Sequence, residues 1–361
     1  MAESPAVEVV YRWDLDKTYL QTEFSTIRGL LQAAVEGAHR KRTVPGMRAL
    51  LGALSQSREA RVVVVSGSPT WIRSRIEKMF KLHGIRCDRL VLKDFGAALK
   101  RGRVGAIRSQ VPYKLLAHLE TRLWLEARGE AAAEICFGDD AEVDALIYCL
   151  YSDVCAGRIG AARLERILKV CGAYRDEIAA ILGRLPLLKR QDPVRRIFIH
   201  LEGGSPPARF VAYRGRVLPT FNALQIALHL CDADLCDDGV VMAVVESLVQ
   251  ESRLDADDLA GALEDAVRRG VCSRACGERI ARSVLPRTAA FAAGFQANFA
   301  QRVADRLAVH VSLPAATTAQ DLPYEQLFQA EQAFARTRKL ARQTAGKIPG
   351  LSEFLDPPHD D

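Results

Sequence analysis

Asp14 and Asp16 stand two positions apart in the run Trp13-Asp14-Leu15-Asp16-Lys17-Thr18, directly after the apolar stretch from Val7 to Tyr11. In an extended strand that ends just past Trp13, residues two apart share a side, so both carboxylates are expected to face one space. Like charges that close cannot both stay ionised at low cost unless a cation lies between them or one keeps its proton, and both situations are typical of reacting sites.

Partners for such a pair must come from later elements, and the chain supplies them in order. Arg61-Val62-Val63-Val64-Val65 is a continuous β-branched run rather than an alternating one, which predicts a fully buried parallel strand ending at Ser66. Pro112-Tyr113-Lys114 opens a helix whose Leu115, Leu116, Leu119 and Leu123 recur at helical spacing, so Lys114 falls in the first turn, near the strand ends. A lysine there works against the helix dipole. Glu134-Ile135-Cys136-Phe137-Gly138 predicts another short buried strand, running straight into Asp139-Asp140-Ala141-Glu142-Val143-Asp144. Either Asp139 or Asp140 can be the acid at its tip, depending on where the strand ends.

In this order and spacing the chain resembles the haloacid dehalogenase (HAD) superfamily of Mg2+-dependent phosphohydrolases. The family's motifs are a DxDxT after the first strand, a Ser or Thr after a hydrophobic strand, a Lys at a helix start, and a GDxxxxD-type acidic motif. Asp14-Leu15-Asp16-Lys17-Thr18, Ser66, Lys114, and Gly138-Asp139 with Asp144 correspond to them. Each motif is short, but four in order on the right elements make a joint signal. The resemblance covers residues 7 to 155. A closer likeness is to the HAD branch with the actin-patch type of phosphatidate phosphatase. Ser66-Gly67-Ser68-Pro69 is similar to its Ser-x-Ser-Pro motif, and Gly138-Asp139 through Asp144-Ala145-Leu146-Ile147-Tyr148 to its acidic motif. Lys17 stands where that branch has a second acidic residue, and Ala145-Leu146 where it has Pro-Glu.

The resemblance implies a Mg2+-dependent phosphatase acting on a phosphorylated substrate, with a role for each residue. Asp14 would attack phosphorus and carry a transient aspartyl phosphate, and Asp16 would be the general acid and then the base. Mg2+ would be held by the Asp14 carboxylate, the Asp16 backbone carbonyl and the Asp139 carboxylate, with Asp144 orienting that shell. Ser66 and Gly67 would meet the phosphoryl oxygens, and Lys114 would offset the charge that accumulates there. Two rival readings share these residues: a non-catalytic phosphate-sensing scaffold, and a phosphotransferase with an acceptor other than water.

Ordinary readings exist for each residue taken alone. Asp-x-Asp-x-Thr also occurs as a cap or turn, Ser66 as a strand-end residue, and Ser68-Pro69 as a helix start with Ser at the cap. Lys93 follows the strand-like Arg89-Leu90-Val91-Leu92 and Lys100 sits in a charged loop, so neither has the helix-start setting of Lys114.

The intervals that hold cap domains in the HAD family are short. Two amphipathic helices fit before Arg61, one with Ile27, Leu30, Leu31, Ala34 and Val35 and one with Met47, Leu50, Leu51 and Leu54. One helix with Ile72, Ile76 and Phe80, a strand, and a loop over residues 102–110 fit between Ser66 and Lys114. No large cap is expected. An open site favours a large substrate such as a lipid headgroup, a protein or a nucleic-acid end. The net charge of +6 and the basic residues between Arg73 and Arg108 favour an anionic partner, with Lys100-Arg101-Gly102-Arg103 as a phosphate contact. Aromatic residues do not interleave with that basic stretch, so stacking on single-stranded nucleic acid has little support.

The expected fold is α/β, a HAD-like Rossmann fold with a parallel sheet over residues 1–188, then a mainly helical accessory domain over 194–345 with a small β-hairpin, and a flexible tail over 346–361. The hairpin is expected from residues 196–201 and 209–213, separated by Gly203-Gly204-Ser205-Pro206-Pro207, and a helix is expected over 161–185. No apolar run reaches transmembrane length and the amino terminus enters the first strand too soon to hold a signal peptide, so a cytoplasmic protein is expected. Nine cysteines, mostly in apolar segments, read as reduced core residues, and His200, His229 and His310 as structural histidines. Cys231 with Cys236 and Cys272 with Cys276 are too loosely spaced to predict zinc.

Overall fold

The computed structural model describes residues 6–20, 43–96, 110–252, 254–287, 303, 305–307 and 321–345. The strands among them are β1 (Val9–Trp13), β2 (Ala60–Pro69), β3 (Arg89–Lys93), β4 (Ala133–Asp139), β5 (Val194–His200) and β6 (Val217–Thr220). They form one sheet in the order β3-β2-β1-β4-β5-β6, parallel throughout. The chain runs outward through β2 and β3, then returns to lay β4 on the other side of β1. In a sheet wound this way the crevice opens where the order reverses, at the carboxyl ends of β1 and β4.

The helices, in chain order, are α1 (Met47–Ser55), α2 (Arg73–Leu82), α3 (Val111–Ala127), α4 (Asp144–Cys155), α5 (Ala161–Val170), α6 (Arg175–Leu182), α7 (Ala223–Asp232), α8 (Asp238–Ser252), α9 (Ala256–Arg268), α10 (Arg274–Arg279) and α11 (Tyr324–Ala345). Two main cores separate them. α1, α2 and α7 to α10 pack into one, and α3 to α6 with α11 into the other.

Alternation along β1 decides what each face receives. Tyr11 and Trp13 enter the first core, where Trp13 stacks on Phe137 at 4.1 Å between ring centres and Phe137 stacks on Phe198 at 5.4 Å. Val10 and Arg12 turn towards α3. Arg12 is wholly buried, paired with Glu134 and donating to Thr121 Oγ1 at 2.6 Å and Tyr151 Oη at 3.0 Å. A buried pair with its remaining donors satisfied fixes β1, β4, α3 and α4 in one relative position, because displacing either member strands a charge. Asp14 has the same parity as Arg12, which aims it at α3.

Several expectations are corrected. Residues 209–213 are not the second arm of a hairpin: they belong to a 3-10 helix, Pro207–Tyr213, and β5 pairs with β6 in parallel. The left-handed backbone of Gly204, at φ 73°, and of Arg214, at φ 53°, bends the connection into a crossover. The sheet therefore continues through the boundary expected between residues 188 and 194, with β5 alongside β4. The helix expected over 161–185 is divided: Gly172, at φ 75°, follows α5, and α6 restarts where Tyr174 N donates to Glu177 Oε2 at 2.8 Å. Ser68-Pro69 do not open a helix, since β2 runs on to Pro69 and a 3-10 turn, Thr70–Ile72, precedes α2. Helix α11 falls where no particular element was expected.

The helix expected over residues 27–35, Lys100 with most of its loop, His310 and the tail lie outside the described residues. No helix among the described residues is long and apolar enough to cross a membrane. The nine cysteines are all free thiols.

Candidate active site

The site begins where β1 stops. Asp14 N still donates to Phe137 O at 2.9 Å, holding Asp14 against β4, after which the chain turns through Lys17, a non-glycine residue at φ 60°. The amides of Tyr19 and Leu20 both donate to Leu15 O, at 3.1 and 2.9 Å, closing the turn over the end of the sheet. Thr18 Oγ1 donates to Asp139 Oδ2 at 3.5 Å, so the last residue of the first motif reaches the acid at the tip of β4.

Asp14 and Asp16 take different partners. Because β1 ends before them, strand alternation does not carry to Asp16, whose Oδ2 accepts from Ser66 Oγ at 2.9 Å and Ser68 Oγ at 2.8 Å. Ser66 Oγ in turn accepts from Ser68 N at 2.9 Å. Burial, reinforced by the charge of Glu142 and opposed by the two serine hydroxyls and Lys114, raises the Asp16 carboxyl to about 6.

Asp14 meets the lysine of α3. Lys114 Nζ lies 2.7 Å from Asp14 Oδ1, 2.6 Å from Asp144 Oδ1 and 2.7 Å from Glu142 Oε2. Burial alone would drive the ammonium to lose its proton, but Asp14, Asp144 and Glu142 hold it charged, well above the ordinary lysine value. The three acids also answer the unfavourable placing of a cation in the first turn of a helix.

One buried ammonium does not balance the cluster. Oxygens of Asp14, Asp139 and Asp144 all lie within 4.8 Å of one another, and the three residues are buried. Burial raises the Asp14 carboxyl well above its usual range, against the pull of Lys114 and with the push of Asp144, Glu142 and Asp139. Asp139 is raised well above its range by burial, Asp144 and Glu142, and Asp144 is raised chiefly by burial. Asp14 Oδ2 is buried without a hydrogen-bond partner. Hard oxygen donors, excess negative charge and an orphaned carboxylate oxygen fit a divalent cation such as Mg2+.

The open choice at the tip of β4 falls to Asp139. Asp140 turns away: its Oδ1 accepts from Gly203 N at 2.6 Å and its Oδ2 from Ser205 N at 2.8 Å, tying down the loop after β5. Asp139 Oδ1 accepts from Ala141 N at 2.5 Å and Glu142 N at 3.0 Å. Gly67 lies against the Gln110 amide, where a Cβ would come within 2.6 Å of Nε2. Gln110 also reaches Glu142, with 3.4 Å from Nε2 to Oε1.

Glu142, Gln110 and Tyr113 join the site without having been singled out for it, and Ser68, quoted in the Ser-x-Ser-Pro motif, joins it without having been given a role. Ser-Pro carries a helix-cap pattern that hides Ser68, and Glu142 sits in a run of acids that does not distinguish it. Tyr113 Oη donates to Ser66 O at 2.9 Å. Lys93, set aside in favour of Lys114, is buried with its ammonium 5.2 Å from the Tyr113 ring centre, and burial lowers it to about 8. The side chains of His200 and His229 take partners outside the Asp14 cluster: His229 Nδ1 lies 2.6 Å from Val271 O, and His200 Nε2 lies 3.3 Å from Glu202 Oε2.

Residues 13–164 match the family model of the catalytic domain of phosphatidate phosphatase APP1. Over that stretch, which contains Asp14, Asp16, Ser66, Lys114, Asp139 and Asp144, the chain is similar to a phosphatase domain. No curated protein and no solved structure matches the chain.

Proposed function

We propose that this protein is a Mg2+-dependent phosphomonoesterase of the HAD type, working through an aspartyl-phosphate intermediate on Asp14. The observation that carries the reading is the asymmetry of Asp14. One oxygen is held by Lys114 at 2.7 Å, and the other is buried without a hydrogen-bond partner inside a cluster of three carboxylates. A carboxylate kept only for structure would have both oxygens satisfied.

In this mechanism an Asp14 oxygen attacks phosphorus while the bond from phosphorus to the leaving oxygen breaks, and the Asp16 carboxyl gives that oxygen a proton. Asp16 then takes a proton from water as the water oxygen attacks the same phosphorus, releasing inorganic phosphate and free Asp14. Ser66 and Ser68 orient Asp16, and the irregular end of β2 at Ser66-Gly67 receives phosphoryl oxygens. Lys114 aims Asp14 and favours its ionised form. Asp14 and Asp139, with the Asp16 carbonyl, would hold Mg2+, and Asp144 sets the position of Lys114 and Asp139. Bound there, the ion neutralises charge on the transferring group.

The name of the matched family makes phosphatidate the first natural substrate to try, and an exposed phosphate on a protein or a nucleic-acid end the next. Purified protein with Mg2+ is expected to hydrolyse p-nitrophenyl phosphate, and Asp14→Asn to abolish turnover with an unchanged circular dichroism spectrum. Equal turnover by the two proteins overturns the reading.

A further inference from the structure

Beside the acidic cluster lies a cavity of about 380 Å3 whose charge is of the opposite kind. One wall is the loop after β4, residues 140–143, and the other is α11, with Lys17 between them. The acids on this wall are engaged. Asp140 accepts from two loop amides, Glu142 holds Lys114, and Glu331 of α11 pairs with Arg209 and accepts from Tyr213 Oη at 2.8 Å. Lys17, Arg338 and Lys339 also line the cavity, and among the described residues no carboxylate lies within ion-pair distance of any of them. Arg338 is half-buried, its guanidinium laid on Gly203 where a Cβ would come within 2.3 Å of it.

Two details show that this arrangement is built. Lys17 holds a left-handed backbone, φ 60°, a conformation unfavourable for a side-chain-bearing residue that persists only where the surroundings impose it. Glu142 belongs to both spaces, lining the cavity and touching Lys114, so the cavity opens onto the rim of the Asp14 cluster. The phosphoryl group that reacts is answered by Lys114 and the cation site, so the outer cations serve some other charge. A cavity lined by a guanidinium fork and two ammonium groups is suited to phosphate, which such donors can meet with charge-assisted hydrogen bonds.

We infer that Lys17, Arg338 and Lys339 form a second-phosphate subsite, and that the preferred substrates are molecules carrying a further phosphate beside the phosphomonoester that is cleaved. The inference rests on the phosphatase reading for its turnover arm only. It extends specificity to α11, outside the stretch that matches the phosphatase family.

The test compares glucose 1,6-bisphosphate with glucose 6-phosphate, both with Mg2+. The wild type is expected to show a kcat/KM at least tenfold higher for the bisphosphate, through KM. Arg338→Ala and Lys17→Gly are expected to reduce the preference severalfold each. Glycine is used at position 17 because it relieves the left-handed strain while removing the charge. Arg336→Ala, an exposed position on the same helix outside the cavity, is expected to keep the preference. Thermal melts give a second readout that needs no turnover: the bisphosphate should raise Tm more than glucose 6-phosphate mixed with an equal concentration of inorganic phosphate, and Arg338→Ala should erase that excess. Turnover without preference, with equal melting shifts, overturns the subsite. A melting excess that Arg338→Ala removes, in a protein that hydrolyses no phosphomonoester, upholds the subsite and overturns the phosphatase reading instead.

Discussion

Asp144 lies directly on Gly138: a Cβ added at Gly138 would come within 2.5 Å of the Asp144 Cβ and 2.7 Å of its Oδ2. The glycine before Asp139 is therefore needed for space, not for backbone freedom. Gly138→Ala must push Asp144 off Lys114, and a displacement of about 1 Å in a catalytic constellation costs roughly 100-fold in rate. A loss of that order in phosphomonoester hydrolysis, with the circular dichroism spectrum unchanged, is the expected outcome. Full activity would mean that Asp144 has room to spare.

Lys114→Met removes the cation shared by Asp14, Glu142 and Asp144. Breaking a buried charge network by deleting one partner costs about 3–5 kcal/mol, so a clear fall in Tm is expected along with loss of turnover. Mg2+ should restore part of the lost Tm, because it supplies the missing positive charge. A variant as stable as the wild type without Mg2+ would show that the acids protonate freely in place.

Asp139→Asn and Asp140→Asn should separate cleanly. Asp139 belongs to the three-carboxylate cluster, so its amide is expected to raise the Mg2+ concentration needed for half-maximal activity. Asp140 serves the amides of Gly203 and Ser205, so its amide is expected to lower Tm, by the equivalent of about 1–2 kcal/mol, and leave the Mg2+ requirement unchanged. Titration of Mg2+ in the activity assay and thermal melts decide both.

The raised carboxyls also set how Mg2+ stabilisation depends on pH. Asp14, Asp139 and Asp144 have folded-state values above their unfolded ones, so without metal they contribute stability when protonated, and that contribution fades as pH rises through the folded values. Mg2+ takes the ionised form and must displace those protons. The Tm gain on adding Mg2+ is therefore expected to grow as pH rises from 5 to 8. A gain that is flat or falls with pH would place the ion elsewhere.

Much of this site is legible in the sequence because each acid or lysine ends a periodic segment. Asp14 follows a short apolar run, Asp139 a buried one, and Lys114 falls just after the proline of a leucine-striped helix; a strand tip or helix start projects into the crevice whatever else the chain does. The role of Ser68 is not legible, although the residue falls in the Ser-x-Ser-Pro motif, since a Ser-Pro pair carries a helix-cap signature and only the pairing of Pro69 with Lys93 shows that the strand continues. Whether two strand-like runs joined by Gly203-Gly204-Ser205-Pro206-Pro207 form a hairpin or a crossover depends on what covers them. Here Phe210 and Tyr213 find places in the core under α11, which holds the intervening residues in a helical turn. Such long-range partners leave no mark in local periodicity.

The outward growth of the sheet from β4 to β6 decides where this polypeptide can be cut. A fragment stopped at residue 188 would leave the β5-facing edge of β4 open, and would strip Phe198 from the ring of Phe137 on which Trp13 also rests. An exposed flat edge beside uncovered aromatics recruits other copies of itself. The smallest portion worth expressing thus reaches past Thr220, well beyond the part that resembles a phosphatase.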